Sequence, residues 1–205
     1  QGRTSLMMLE TDRFHPSFEH LQEIENCIQK ATKLTKQLLG FARGGKYEIR
    51  PTDLNDLIEN SVQMFGRTRK DITIFKKYEE KLHPVAVDPS QIEQVLLNIF
   101  INAWQAMPEG GELYVETKNE ILYENFVGAY GVTPGKYLKI SIRDTGIGMD
   151  EKTMNRVFDP FFTTKEKERG TGFGLASAYG IIKNHDGIIT VESAKDKGTT
   201  FYVYL

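Results

Sequence analysis

The pattern of apolar and polar residues divides the chain into two regimes. From Phe18 to about Ala42, the residues Leu21, Ile24, Ile28, Ala31, Thr35, Leu38 and Ala42 recur at alternating spacings of three and four, the seam of a helix that packs on other helices. Leu34, Leu39 and Phe41 widen that seam. Thr4 to Glu10 reads as the end of a preceding helix, and Asp12 to Ser17, containing His15-Pro16, as the connecting turn. Residues 1–45 therefore form a partial α-helical hairpin, a remnant whose wide apolar stripe calls for a partner, most simply a second copy completing a four-helix bundle. Packing on the rest of the same chain is the alternative. Gly44-Gly45 ends the helix and marks the boundary to a second domain, 46–205.

In that second domain, strand-like alternation and helical periodicity take turns. A short extended piece lies near Tyr47 to Arg50, followed by a helix from Leu54 to Phe65 capped by Thr52 or Asp53, a strand from Ile72 to Tyr78 and a short strand from Val85 to Val87. Asp88-Pro89-Ser90-Gln91 reads as an N-cap, a proline at the first helical position and a glutamine that can complete a capping box. The helix it opens runs to about Met107 with Ile92, Val95, Leu96, Ile99, Ala103 and Ala106 on its apolar face. Glu112 to Ile121 and Tyr137 to Arg143 pair as strands across an excursion from Asn125 to Gly135. In the latter strand Leu138, Ile140 and Ile142 face a core while Lys139, Ser141 and Arg143 face out. Asp150 caps a short helix to Val157, a further helix ends near His185, and Ile188 to Ser193 pairs with Thr199 to Leu205 as a hairpin in which Thr199 shares the face of Phe201, Val203 and Leu205.

Composition narrows the function classes. At 205 residues the chain can hold one large domain, or a smaller one with an appendage. A net charge of −2 and a pI near 6.1 give no basic footprint for nucleic acid. No apolar run approaches the roughly 18 residues that span a bilayer, and no signal peptide opens the chain, so no membrane contact and a cytoplasmic setting are expected. The single cysteine, Cys27, fits a reducing compartment, and His15, His20, His83 and His185 lack metal-ligand spacing.

Four blocks carry chemistry. Asn98 and Asn102 lie four apart on one face of a long helix, where asparagine is a poor helix former; amide oxygens there can ligate Mg²⁺ whose remaining shell is phosphate and water, or be satisfied internally. Asp144-Thr145-Gly146-Ile147-Gly148-Met149 sets a carboxylate at a strand end before a turn in which Gly146 and Gly148 allow positive φ and close backbone approach, and Ile147 and Met149 offer apolar surface to a planar base. Phe158-Asp159-Pro160-Phe161-Phe162 is an aromatic anchor leading into the charged run Thr163 to Arg169. Gly170-Thr171-Gly172-Phe173-Gly174-Leu175 opens a helix whose unpaired backbone amides suit phosphate.

In this order the four blocks resemble the ATP-binding catalytic domain of two-component sensor histidine kinases, within the Bergerat-fold (GHKL) ATPases that include gyrase and the heat-shock chaperone ATPases. The resemblance covers roughly Tyr47 to Leu205, and Lys30 to Arg43 is similar to the second helix of that family's dimerisation and phosphotransfer hairpin. It implies an α/β two-layer sandwich of mixed sheet and three main helices, with ATP and Mg²⁺ as cofactors. Asp144, supported by Thr199, would bind the adenine amino group, Asn102 the metal, and Asn98 the phosphate side. Gln105, Gly146, Ile147, Gly148, Met149, Thr164, Thr171, Phe173 and Leu175 would line the site. Gly170, Gly172 and Gly174 would bring amides to the phosphates, and Thr163 to Arg169 would form a lid with Lys165 as a phosphate contact or a solvated charge.

Asn98 stands where water-activating relatives carry glutamate, and a neutral amide cannot accept a proton, so slow hydrolysis with competence for phosphoryl transfer is expected. No histidine precedes an acidic residue on a first helix. The expectation is a chain beginning just after its acceptor histidine, binding ATP without phosphorylating itself and passing phosphate through a missing segment to a response-regulator receiver domain. Two alternatives stay open: a non-catalytic nucleotide-binding module that sets conformation or dimerisation, and an anti-sigma-type serine kinase.

Overall fold

The computed structural model describes residues 7, 11, 15, 17–25, 28, 48–165 and 171–205. The chain clusters into two compact units, Gln1–Gly45 and Lys46–Leu205. In the first unit residues 17–25 are helical. A turn at His15 starts them, the Phe18 N–H donating to the His15 carbonyl (2.9 Å) and the Ser17 N–H to His15 Nδ1 (3.1 Å). Most of the expected seam, Cys27 and Gly44-Gly45 lie outside the described residues.

The second unit runs β1 (Arg50–Thr52), α1 (Leu54–Thr68), β2 (Ile72–Lys77), β3 (Val85–Val87), α2 (Pro89–Ala106), β4 (Gly111–Leu122), α3 (Glu124–Val127), β5 (Gly135–Asp144), α4 (Glu151–Met154), α5 (Gly174–Asn184), β6 (Ile188–Ser193) and β7 (Thr199–Tyr204). Five strands form a mixed sheet in the order β2-β4-β5-β7-β6, with β2 and β4 parallel and every other pair antiparallel. β1 and β3 make a separate antiparallel ribbon. One sheet face supplies Leu113, Val115, Leu138, Ile140, Ile142, Phe201 and Val203 to a core closed by α1, α2 and α5 through residues such as Ile58, Phe65, Leu96, Phe100 and Ile182. This is the expected two-layer α/β sandwich with three main helices.

Local chemistry sets the element ends. Asp53 caps α1 by accepting from the Asn55 and Asp56 N–H groups, and Asp88 caps α2 by accepting from Ser90 and Gln91, with Pro89 in the first turn. The capping box is not completed: Gln91 Oε1 is buried without a hydrogen-bond partner, and the Asp88 N–H that it would have taken donates instead to His185 Nε2 (3.1 Å). The C-terminal end of α5 delivers His185 to that spot, so a histidine without metal-ligand spacing takes a structural role, tying the start of α2 to the end of α5.

Smaller corrections have equally local causes. The extended piece near residue 47 is a strand at 50–52, where β3 offers a partner. The helix capped by Asp150 stops at Met154, because Arg156 and Val157 donate to carbonyls three residues back and tighten the chain into turns. The excursion after β4 contains α3, whose Val127 packs with Leu122, Ile188 and Tyr204 in a second small cluster.

Candidate functional site

Alternation along β5 buries Leu138, Ile140 and Ile142, and the same parity carries Asp144 inward, where it is 2% exposed. Two backbone N–H groups meet its Oδ1, from Gly146 (2.9 Å) and Thr199 (3.1 Å). Its Oδ2 takes no hydrogen bond from the described residues and remains for a ligand donor. Burial pushes the carboxyl pKa up, and the two N–H donors pull against that rise. Thr199 supports Asp144 through its backbone, while its hydroxyl pairs with Ser193 Oγ (3.0 Å).

The turn after Asp144 is fixed by close approach. Gly148 has φ +62°, and a Cβ there would strike the Ala194 carbonyl. Gly146 has no positive φ; it is small because a Cβ would lie 2.6 Å from the Ala106 carbonyl and 2.7 Å from the Ala106 Cβ. The Ile147 N–H donates to that same carbonyl (3.0 Å), so the turn rests on the last turn of α2. Ile147 is 60% exposed and Met149 partly so, leaving apolar surface beside the carboxylate.

Across α2, the Asn102 Nδ2 donates to the Asn98 carbonyl (2.7 Å), which turns Asn102 Oδ1 outward. Lys165 Nζ donates to that oxygen (3.0 Å) and to Gln105 Oε1. Lys165 is thus a half-buried contact of α2 and not a solvated charge, and burial pulls its pKa down. The start of α5 meets the same place: a Cβ on Gly174 would lie 3.5 Å from Asn98 Oδ1 and 3.8 Å from Asn102 Nδ2. No side chain caps α5, whose first turn bonds from the Ser177 N–H to the Phe173 carbonyl (2.9 Å); the amides of Gly174, Leu175 and Ala176 have no acceptor four residues back within the helix, an arrangement that suits an anion.

The aromatic block anchors this end. Phe158 packs on Tyr179 and Phe201 (ring centroids 5.4 and 6.3 Å), and Phe161 on Phe173 (5.8 Å). The Phe161 N–H donates to the Gly172 carbonyl (2.9 Å), and Gly172, at φ +63°, has no room for a Cβ against the Phe161 backbone. Leu175 is half-buried, whereas Thr164 and Thr171 are exposed without a recorded contact to the other site residues. Gly170 and residues 166–169 of the expected lid lie outside the described residues.

Sequence reasoning missed Ser193. Its Oγ accepts the Met149 N–H (2.8 Å) and donates to the Gly198 carbonyl (3.0 Å), stitching the turn to the β6–β7 hairpin. It also missed Thr145, whose Oγ1 accepts the Glu112 N–H (3.0 Å). A serine at a strand end carries no signal of such a role; a threonine after a strand-end aspartate is only a weak one.

Residues 87–205 match the family described as histidine kinase-, DNA gyrase B-, and HSP90-like ATPase. The chain belongs to this ATPase family. Among its relatives is the sensor kinase CckA of Brucella abortus, 37% identical over 192 residues that are 93% of this chain and 20% of CckA. The catalytic domain of histidine kinase ThkA is 27% identical with a TM-score of 0.61, over 77% of this chain and 95% of that one. The structure of ThkA in complex with the response regulator TrrA shares the fold over 100% of this chain and 55% of that one, at 21% identity and a TM-score of 0.69. The chain spans between 15% and 35% of the length of the first curated relatives it matches. Among the described residues of this ATPase-family chain no helix is long and apolar enough to cross a membrane.

Proposed function

We propose that residues 46–205 are the ATP-binding catalytic domain of a sensor histidine kinase. The observation that carries the reading is Asp144, a buried carboxylate with Oδ1 saturated by backbone donors and Oδ2 left to accept from an adenine amino group beside Ile147 and Met149. On the last turns of α2, Asn102 and Gln105 already turn two amide oxygens onto one cation, the Lys165 ammonium, so the donor set suits a hard ion whose other ligands are phosphate and water. Mg²⁺ held there would neutralise phosphate charge during transfer.

The remaining roles belong to the chain's own groups. Backbone amides in the first turn of α5, from Gly174 on, receive the phosphates, and Asn98 orients them from α2. Asn98 offers no base, so water is poorly activated and the γ-phosphoryl is kept for an acceptor imidazole. Residues 1–45 serve as part of a dimerising helical hairpin, and a response-regulator aspartate receives the phosphate, in keeping with the ThkA–TrrA complex. The site works in the cytoplasm. The test supplies, in trans, a helical hairpin carrying an acceptor histidine. Labelled ATP should then give acid-labile, base-stable phosphorylation of that histidine. Tight ATP binding without transfer would favour a nucleotide-binding module instead.

A further inference from the structure

We propose that Asn102 and Gln105 form one cation seat for which the Lys165 ammonium and Mg²⁺ compete, so that loading the metal drives Lys165 off the amides and toward the phosphates. This rests on the nucleotide reading above and adds an exchange step to it. Residues 102 and 105 lie three apart on one face of α2, so their side chains meet. The bond from Asn102 Nδ2 to the Asn98 carbonyl fixes which end of the amide faces the cation.

The seat is neutral. Among the described residues no group of three or more histidines, cysteines, aspartates or glutamates could hold a metal, and none pairs Lys165 with a carboxylate. A carboxylate at this point would favour a divalent ion over an ammonium by its full charge. Two neutral amide oxygens favour it by less, and Mg²⁺ gives up water reluctantly, so an ammonium can compete and the second partner of each cation weighs in which takes the seat. Lys165 can leave without disturbing its supports, because the Phe161 bond to Gly172 and the Phe161–Phe173 contact hold the backbone on either side of the site. Its long flexible stem carries the charge between amides and phosphates.

The test uses ADP and the full 205-residue chain. ADP keeps metal-binding phosphates and lacks the γ-phosphate that would draw the lysine away by itself. Its affinity is measured in chelator and in saturating Mg²⁺, and the ratio reports how strongly the metal is welcomed. Lys165→Met should raise that ratio about tenfold or more, the low end of the worth of one hydrogen bond to a charged group. An unchanged or smaller ratio overturns the proposal. Side-chain amide signals in ¹H–¹⁵N spectra give a second readout: Lys165→Met should shift those of Asn102 and Gln105 with no ligand added, and their staying put would also overturn it. Failure of the unaltered chain to bind ADP in either buffer would instead sink the nucleotide reading, and the exchange with it.

Discussion

The two ends of the site are built from different materials. Around Asp144 nearly every contact is main chain: two N–H groups on Oδ1, the Ile147 N–H on the Ala106 carbonyl, and glycines pressed against neighbouring carbonyls. Around Asn102 one bond reaches main chain, from its Nδ2 to the Asn98 carbonyl, while the bonds that hold the cation are side chain to side chain, from Lys165 to Asn102 and Gln105. Main-chain bonds cannot be exchanged without unfolding the turn, whereas a lysine on two amides can be replaced by another cation. On the proposed reading the adenine end is therefore a fixed template and the phosphate end an adjustable one, which suits a ligand whose base stays the same while its charge and metal change.

The largest effect should come from breaking the template. Gly148→Ala forces a Cβ into the Ala194 carbonyl at φ +62°, backbone against backbone with no flexible side chain to yield. A loss of about 3 kcal/mol or more is expected from the left-handed strain and the clash together, read as a fall in the urea midpoint. Gly135→Ala, where an added Cβ meets nothing within 4 Å, should leave the midpoint almost unchanged. Equal midpoints for the two variants would show that the turn is softer than its contacts imply.

Next in size is Asp144→Asn. Exchanging the carboxylate for an amide should weaken ADP by about 1.5–3 kcal/mol, with or without Mg²⁺, because the lost bond is to the base. The same variant tests the pH dependence. Burial raises the Asp144 pKa above its ordinary 3.8, so the folded chain holds this proton more tightly than the unfolded one. Its contribution to stability is then greatest below 3.8 and falls as pH rises through the raised folded value. The stability difference between the parent chain and Asp144→Asn should therefore slope downward with rising pH across that window; an upward slope would mean that the two N–H donors outweigh burial.

Asn102→Ala sharpens the contrast from the other end. In chelator it should change ADP affinity by no more than about 0.5 kcal/mol, as for a side chain that does not touch the base. In Mg²⁺ it should abolish most of the gain that the metal brings. Isothermal titration in both buffers separates the cases, and equal losses in each would join the two ends that the geometry separates.

How much of this was legible beforehand follows the same division. The alternation of β5, the caps at Asp53 and Asp88, and the spacing of Asn98 and Asn102 are one-dimensional signals that place Asp144 at a strand end, whereas the sandwich was legible only through the family resemblance that the four motif blocks carry. Contacts between elements distant in sequence were not legible. Gln91 looked able to finish a capping box, but a histidine 97 residues after Asp88 took the N–H first. Lys165 could be read as solvated because nothing in its neighbours along the chain says that α2 lies within reach. For Gly146 the sequence offered positive φ and close backbone approach together; only the second holds, and its partner, the Ala106 backbone, is a contact no local pattern names.

The smallest effect belongs to Ser193, which spans that same gap. Its hydroxyl joins Met149, Gly198 and Thr199, so it couples the adenine turn to the hairpin without touching the nucleotide. Ser193→Ala leaves the half-exposed Met149 N–H to water and removes one donor from the carbonyl of the buried Gly198, and a cost of about 1 kcal/mol or slightly more is expected. That cost should fall on stability and on ADP affinity in chelator to similar degrees, since the turn that loosens is the surface on which the base lies. The Mg²⁺ gain should be untouched, because nothing in Ser193's hydrogen bonds reaches α2 or Lys165. Amide hydrogen exchange at Met149 provides the check: faster exchange with an unaltered metal ratio would keep the two ends separate, and a changed ratio would show the fixed end steering the adjustable one.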